Sequence, residues 1–252
     1  MAPYITLFGR TMGSYGLCAV LGLLVSGFLA VRLGRRQGVP SYLVIQAAVS
    51  ALVGLLVGGH LLYGLLHLPE LLSHPTLATF LRCFSGSIYY GGFLGACLSV
   101  HWYARRFAPT QTGLLTDLFA CAIPLFHAFG RVGCFLGGCC YGIPCRWGFT
   151  AVGNPLVPEI NGVCRFPVQL VEAGCELGLF LLLLRLLRKW KCSGRLVVCY
   201  LLGYAPLRFG LEFLRGDAAR GFLFNLSTSQ WLSILLFCTA LWIFRRRAPQ
   251  NQ

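Results

Sequence analysis

Runs of about twenty apolar residues, separated by short polar links, recur along the whole chain. They fall near 12–31, 42–66, 84–103, 113–130, 168–187, 196–214 and 227–244. Each is long enough to cross the ~30 Å hydrocarbon layer of a bilayer as a helix rising about 1.5 Å per residue. The pattern predicts an all-α, polytopic membrane protein with about seven transmembrane helices and its two termini on opposite sides. The longest link, residues 131–167, is rich in Gly, Pro and Cys, including Gly137, Gly138, Cys139, Cys140 and Pro144. Long irregular links inside compact domains are usually functional, so chemistry is expected there. No internal repeat or low-complexity linker divides the chain, which reads as one seven-helix membrane domain, 1–252, with a frayed tail over 248–252.

Composition agrees with a lipid solvent. Of 252 residues, 57% are hydrophobic and 11% charged, with a mean hydropathy of +0.72, against about 25% charged in a globular domain. A net charge of +14 would suggest nucleic acid in a soluble protein, but these charges cluster between apolar runs. Arg32, Arg35 and Arg36, then Arg105 and Arg106, then Arg185, Arg188, Lys189, Lys191 and Arg195, then Arg245, Arg246 and Arg247 fall in alternate links and hold most of the 21 basic residues. Cytoplasmic loops collect Lys and Arg, so the N-terminus is expected outside and the C-terminus in the cytoplasm. The first run has its stronger positive cluster after it, as in a retained N-out helix rather than a signal peptide.

Seven ionisable residues lie in or near the apolar runs: Asp117, His127, Arg131, Glu172, Glu176, Arg208 and Glu212. Such groups are costly in a membrane and mark functional sites by default. Arg208 and Glu212, four apart on one helical face, either pair with each other or present a cation and a carboxylate to one ligand. Glu172 and Glu176 share that spacing and repel, so one binds a cation from another helix, stays protonated, or faces a watery crevice. His127 shares a face with Arg131 if its helix continues that far; alone it reads more readily as a core histidine bonded to a backbone carbonyl. Arg131, Arg146, Arg165, Arg208, Arg215 and Arg220 lie on the outer side, where topology gives no reason for them. A phosphate-bearing substrate supplies one, because the guanidinium fork matches phosphate oxygens.

Eleven of the thirteen cysteines fall into two groups. Cys18, Cys97, Cys121, Cys175, Cys199 and Cys238 sit in apolar runs and read as small hydrophobes. Cys134, Cys139, Cys140, Cys145 and Cys164 sit in the outer link and are disulfide candidates on an oxidising face. Five is odd, which leaves one thiol free or paired with Cys83. A zinc site is weakly supported, for neither the spacing nor a His-x-x-His neighbour points to one. No cofactor and no metal is expected.

Five motifs, in order over most of the chain, resemble those of the bacterial prolipoprotein diacylglyceryl transferases. Ser14 to Leu17 (Ser-Tyr-Gly-Leu) looks like the family's tyrosine motif, and Tyr89-Tyr90-Gly91-Gly92 like its His-Gly-Gly motif. Gly130-Arg131-Val132-Gly133-Cys134-Phe135, running on to Gly142, is similar to Gly-Arg-x-Gly-Asn-Phe. Phe166 to Ala173 resembles Pro-x-Gln-Leu-Tyr-Glu-Ala, and Arg208 to Asp217 resembles the Arg-x-x-x-Glu-Phe-x-Arg ending. The resemblance implies a seven-helix enzyme of the bacterial cytoplasmic (inner) membrane. Its partners would be phosphatidylglycerol and a prolipoprotein signal peptide, whose lipobox cysteine thiol receives a diacylglyceryl group as glycerol phosphate leaves.

Carried over by position, Tyr15, Arg131, Gly142, Arg208 and Glu212 are the matching functional residues. Gly91, Gly92, Cys134, Gln169, Glu172 and Arg215 lie in the same motifs and are expected to contact substrate. Arg131 and Arg208 are read as phosphate clamps that stabilise the departing anion. The acceptor must ionise, because the thiolate is the nucleophile. The chain departs from the family here: Tyr90 stands for the motif histidine, Cys134 for the asparagine, and Cys139 for an acidic residue. Tyr90 stays among the expected catalytic residues, but tyrosine, with a pKa near 10, is a poor base, so His127 is the expected proton acceptor, the alternatives being Glu212 or ionisation of the thiol under the arginines alone. Two other readings stay open: a paralogue acting on another acceptor, and a membrane thiol/disulfide redox protein using Cys134, Cys139 and Cys140. A transporter reading lacks the paired broken-helix pattern, and no nucleic-acid partner is expected.

Overall fold

The computed structural model describes residues 1–7, 9–189, 194–217 and 222–246, and is mostly helical. A hairpin of β1 (Tyr4–Leu7) and β2 (Arg10–Gly13) leads into α1 (Ser14–Arg36), followed by α2 (Ser41–Leu66), α3 (Leu68–Ser73), α4 (Leu77–Cys83), α5 (Tyr89–Phe107) and α6 (Thr112–Gly137). Then come β3 (Pro144–Thr150), β4 (Cys164–Arg165), α7 (Val168–Lys189), α8 (Leu196–Leu211), β5 (Phe222–Leu223), β6 (Leu226–Ser227) and α9 (Thr228–Arg246). The three strand pairs are antiparallel. Two compact units result: residues 1–29 with 119–252, and residues 30–118.

Each of the seven apolar runs becomes a long helix. Among the described residues, four helices are long and apolar enough to cross a membrane: Ser14–Arg36, Ser41–Leu66, Pro109–Gly137 and Leu196–Leu214. Large apolar side chains such as Leu24, Phe28, Val49 and Leu61 are exposed on α1 and α2, a surface that water would penalise and lipid tails would not. Lys191, Arg220 and Arg247, used above to argue topology and anion binding, lie outside the described residues.

One boundary differs from expectation. The apolar pattern ends α6 near Gly130, whereas the helix runs to Gly137. No proline interrupts 131–137, and the first residue in the left-handed region is Gly138, at φ 86°; there a helix stops most readily on glycine. Arg131 and Cys134 therefore stand on a helix rather than in a loop. Asn154, in the following link, donates from Nδ2 to the Gly137 carbonyl at 3.1 Å and so satisfies one of the open carbonyls at the α6 end.

In the 30–118 unit, α2 and α5 pack antiparallel in a regular register. Tyr103 donates to Gln46 Oε1 at 2.6 Å. One turn on, the Ser50 and Ser99 hydroxyls meet at 2.6 Å, and each hydroxyl also reaches the other residue's carbonyl. A further turn on, Gly54 faces Gly95, then Gly58 faces Gly91, each so close that an added Cβ would collide with the partner's carbonyl oxygen. An added Cβ at Gly92 would meet the Leu55 carbonyl at 3.0 Å. Small residues four apart on both helices let the backbones touch, and dispersion with hydrogen bonds replaces the missing hydrophobic drive in lipid. Gly91 and Gly92, expected to contact substrate, thus pack against α2.

Opposite signs are expected for two alanine substitutions measured by thermal unfolding in detergent. Gly58→Ala should destabilise by about 1–3 kcal/mol, the usual cost of forcing atoms into a closed contact. Gly27→Ala, on α1 with open space around its Cβ position, should stabilise by about 0.5–1 kcal/mol through helix propensity.

Candidate active site

The other unit gathers the buried charges on α6 and α7. His127, Arg131 and Cys134 fall at i, i+4 and i+7 of α6, one stripe of the helix. Glu172 and Glu176, one turn apart on α7, face that stripe. Arg131 Nη2 lies 2.9 Å from Glu172 Oε1, and His127 Nδ1 lies 2.7 Å from Glu176 Oε1, with Nε2 4.0 Å from Glu172 Oε1. The Tyr204 ring of α8 meets the imidazole edge to face at 5.4 Å. All four α6–α7 partners are buried or nearly so. Glu172 takes a cationic partner from another helix, Arg131, the first of the options open in the sequence, while Glu176 sits against the His127 imidazole.

On α8, Arg208 Nη1 contacts Glu212 Oε2 at 2.8 Å, and Nη2 donates to Ser229 Oγ of α9 at 3.1 Å. Arg208 and Glu212 therefore pair with each other, both buried. Arg215 grips Asp217 with two parallel bonds, Nε to Oδ1 at 3.1 Å and Nη2 to Oδ2 at 2.9 Å. Of the arginines expected on the outer side, Arg131, Arg208 and Arg215 are thus carboxylate-paired. Arg165 lies over the Tyr141 ring at 4.4 Å and donates to the carbonyls of Gly142 and Glu159. Arg146 is exposed.

The link after α6 is built by its backbone partners. Gly138 requires glycine twice over, for its positive φ and because a Cβ would strike the Asn154 amide and Ile160. Asn154 also accepts from the amides of Leu156 and Val157 and donates its own to Asn161 Oδ1. Gln169, fully buried at the start of α7, donates from Nε2 to the Cys139 carbonyl at 2.8 Å. Gly142 is wedged where Ile143 bonds to Leu214 and to Phe166, with no room for a Cβ beside the Phe166 carbonyl. Gln169 and Gly142, expected as substrate contacts, hold the loop in shape.

That shape brings Cys134, Cys139 and Cys140 together, their sulfurs all within 4.8 Å of one another. Cys140 adopts φ 55°, unusual for a residue with a side chain and a conformation tolerated only where surroundings impose it. Hydrogen bonds from the Cys134 and Cys139 thiols, aided by the Arg215 and Arg131 cations, pull the Cys140 thiol below the ordinary thiol range. The expected disulfides are absent among the described residues: Cys145 donates to the Trp147 carbonyl at 2.8 Å, Cys83 donates to the His67 carbonyl at 3.6 Å in the other unit, and all are free thiols.

Tyr15 opens α1 against α6, where a Cβ on Gly133 would come 3.2 Å from Tyr15 Cα and 3.0 Å from Cys18 Cβ. Tyr90 belongs, with Gly91 and Gly92, to the 30–118 unit. The partners that sequence reasoning missed are Asn154, Ser229 and Asp217. An Asn seven residues before another Asn in a Gly/Pro-rich link is a turn signal that marks Asn154; nothing in the pattern marks Ser229.

Ion pairs buried between long apolar helices define the class, an all-α membrane protein with a polar cluster in its interior. A family model described as prolipoprotein diacylglyceryl transferase matches residues 3–246. The chain is 31% identical over 240 residues to the phosphatidylglycerol–prolipoprotein diacylglyceryl transferase of Clostridium tetani, covering 94% of each chain. It is 33% identical over 237 residues to the protein of that name from Geobacter sulfurreducens, covering 90% of this chain and 87% of that one. The chain belongs to the prolipoprotein diacylglyceryl transferase family.

Glu172→Ala strands a buried guanidinium and is expected to cost about 3–5 kcal/mol, whereas replacing both partners at once, Arg131→Met with Glu172→Leu, should recover most of that loss. Thermal unfolding of the purified variants in detergent checks both.

Proposed function

We propose that this chain is a transferase of the bacterial cytoplasmic membrane, moving a diacylglyceryl group from phosphatidylglycerol to the lipobox cysteine of a prolipoprotein. In this reading all seven long helices cross the bilayer, with the N-terminus outside, the C-terminus in the cytoplasm and the site open toward the outer leaflet. The observation that carries it, beside family membership, is the state of Arg131. Its Nη2 is engaged by Glu172, while its Nε is buried without a hydrogen-bond partner among the described residues. A buried donor left unmade costs free energy, and a phosphate oxygen satisfies it at full charge-assisted strength.

The chemistry follows from these groups. Thiolate sulfur attacks the glyceryl carbon, the carbon–oxygen bond to phosphate breaks, and glycerol phosphate leaves with the electron pair and one more negative charge. Arg131 and Arg208 stabilise that developing charge, and their carboxylate partners fix both guanidinium groups before the substrate arrives. His127 accepts the thiol proton, with Glu176 orienting the imidazole in the manner of a base held by a third group.

Purified protein incubated with phosphatidylglycerol and a lipobox peptide should add one diacylglyceryl mass to the peptide cysteine and release glycerol phosphate. Arg131→Ala should lower the rate by about a hundredfold or more. No mass gain beside an active relative as control would refute the reading.

A further inference from the structure

The three-thiol cluster is a feature the transfer chemistry above does not use. Cys134 lies in the last turn of α6; Cys139 and Cys140 return toward it because Gly138 reverses the chain in the left-handed region and Cys140 holds φ 55°. The Gln169 amide pins the Cys139 carbonyl from α7, and Asn154 fixes the last turn of α6. The sulfurs are therefore positioned by buried partners on three segments, not by a flexible loop. Their mutual separation of at most 4.8 Å approaches the about 3.8 Å between thiolates around one tetrahedral zinc at a Zn–S distance of ~2.3 Å.

We propose that Cys134, Cys139 and Cys140 hold one zinc ion, and that its open fourth position takes the acceptor cysteine as a thiolate. The role of the fourth position rests on the transferase reading; the metal site does not. Three protein ligands with one open position are the arrangement of a reactive zinc site, whereas a structural site is closed by four. Zinc has no redox chemistry to oxidise the sulfur, and binding to the ion deprotonates a thiol outright. In the step, the acceptor S–H displaces water from zinc and its proton passes to solvent water. The zinc-bound thiolate then attacks the glyceryl carbon, and glycerol phosphate leaves with the bonding pair against Arg131. The neutral thioether product is a weaker ligand and yields its place to water. Tyr90, a poor base, is then no handicap, because the metal rather than a residue at position 90 ionises the acceptor.

The test uses the full chain, purified in detergent under reductant, stripped with a chelator and reloaded with Zn2+ or Co2+. Metal analysis should find about one ion per chain, lost in Cys139→Ser and Cys140→Ser and kept in Cys145→Ser, whose thiol faces the Trp147 carbonyl instead. In the cobalt form, the sulfur-to-metal absorption should strengthen when a lipobox peptide is added, and not when its cysteine is replaced by serine. Transfer activity should fall on stripping and return with zinc. Failure of the reduced wild-type chain to retain zinc, or a disulfide between two of the three cysteines in its place, overturns the site. Retention with no spectral response to the peptide and activity indifferent to metal overturns the role of the fourth position. Retention and spectral response in a chain inactive toward phosphatidylglycerol would refute the transferase reading while leaving the zinc site standing.

Discussion

A guanidinium placed among apolar helices has to be met by a carboxylate, and the Arg131–Glu172 contact at 2.9 Å is where this chain meets that demand. The rest of the site is arranged around it. Because Arg131 lies on α6 and Glu172 on α7, the pair fixes the facing of two helices, and with it brings His127 to Glu176 one turn away. The pair holds the cation by one terminal nitrogen and leaves another donor unsatisfied. A fully saturated arginine would make a sturdier protein and a poorer phosphate site. A buried pair of this kind is weak evidence for stability, since well-packed apolar residues often serve as well.

Glycine supplies the second constraint, in two ways. Between α2 and α5 it removes side chains so that Gly54 and Gly58 can touch Gly95 and Gly91, extending the hydrogen-bonded register set by Gln46, Tyr103, Ser50 and Ser99. At Gly138 it supplies a backbone conformation that ends α6 and turns two cysteines back toward a third. Residues that a motif comparison groups as functional therefore divide: Gly91, Gly92, Gly142 and Gln169 shape the backbone, whereas Arg131, Glu172, Arg208 and Glu212 carry charge into the interior.

Much of this was legible in the sequence because it follows from one-dimensional spacing. Helices of about twenty apolar residues declare themselves, and the i, i+4 pairs Arg208/Glu212 and Glu172/Glu176 show which side chains share a face. Spacing does not reveal which helix faces which, so the pairing of Arg131 with Glu172 and of His127 with Glu176 needed the fold. The α6 boundary was missed because two glycines, Gly130 and Gly133, look like stops, yet Gly133 is small to admit α1. The three thiols were legible as a set but not in their geometry: a spacing of five and then one brings sulfurs together only if the intervening residue is left-handed, and sequence proximity of cysteines suggests a disulfide just as readily.

The central claim is that Arg131 serves as a two-sided fork, one side on Glu172 and the other on a phosphate. Arg131→Lys separates these sides, since lysine keeps the charge and the ion pair but has no planar fork. The account expects this variant to unfold at nearly the wild-type temperature while the rate of diacylglyceryl transfer to a lipobox peptide falls by about a hundredfold. Wild-type transfer by a folded Arg131→Lys protein would contradict it.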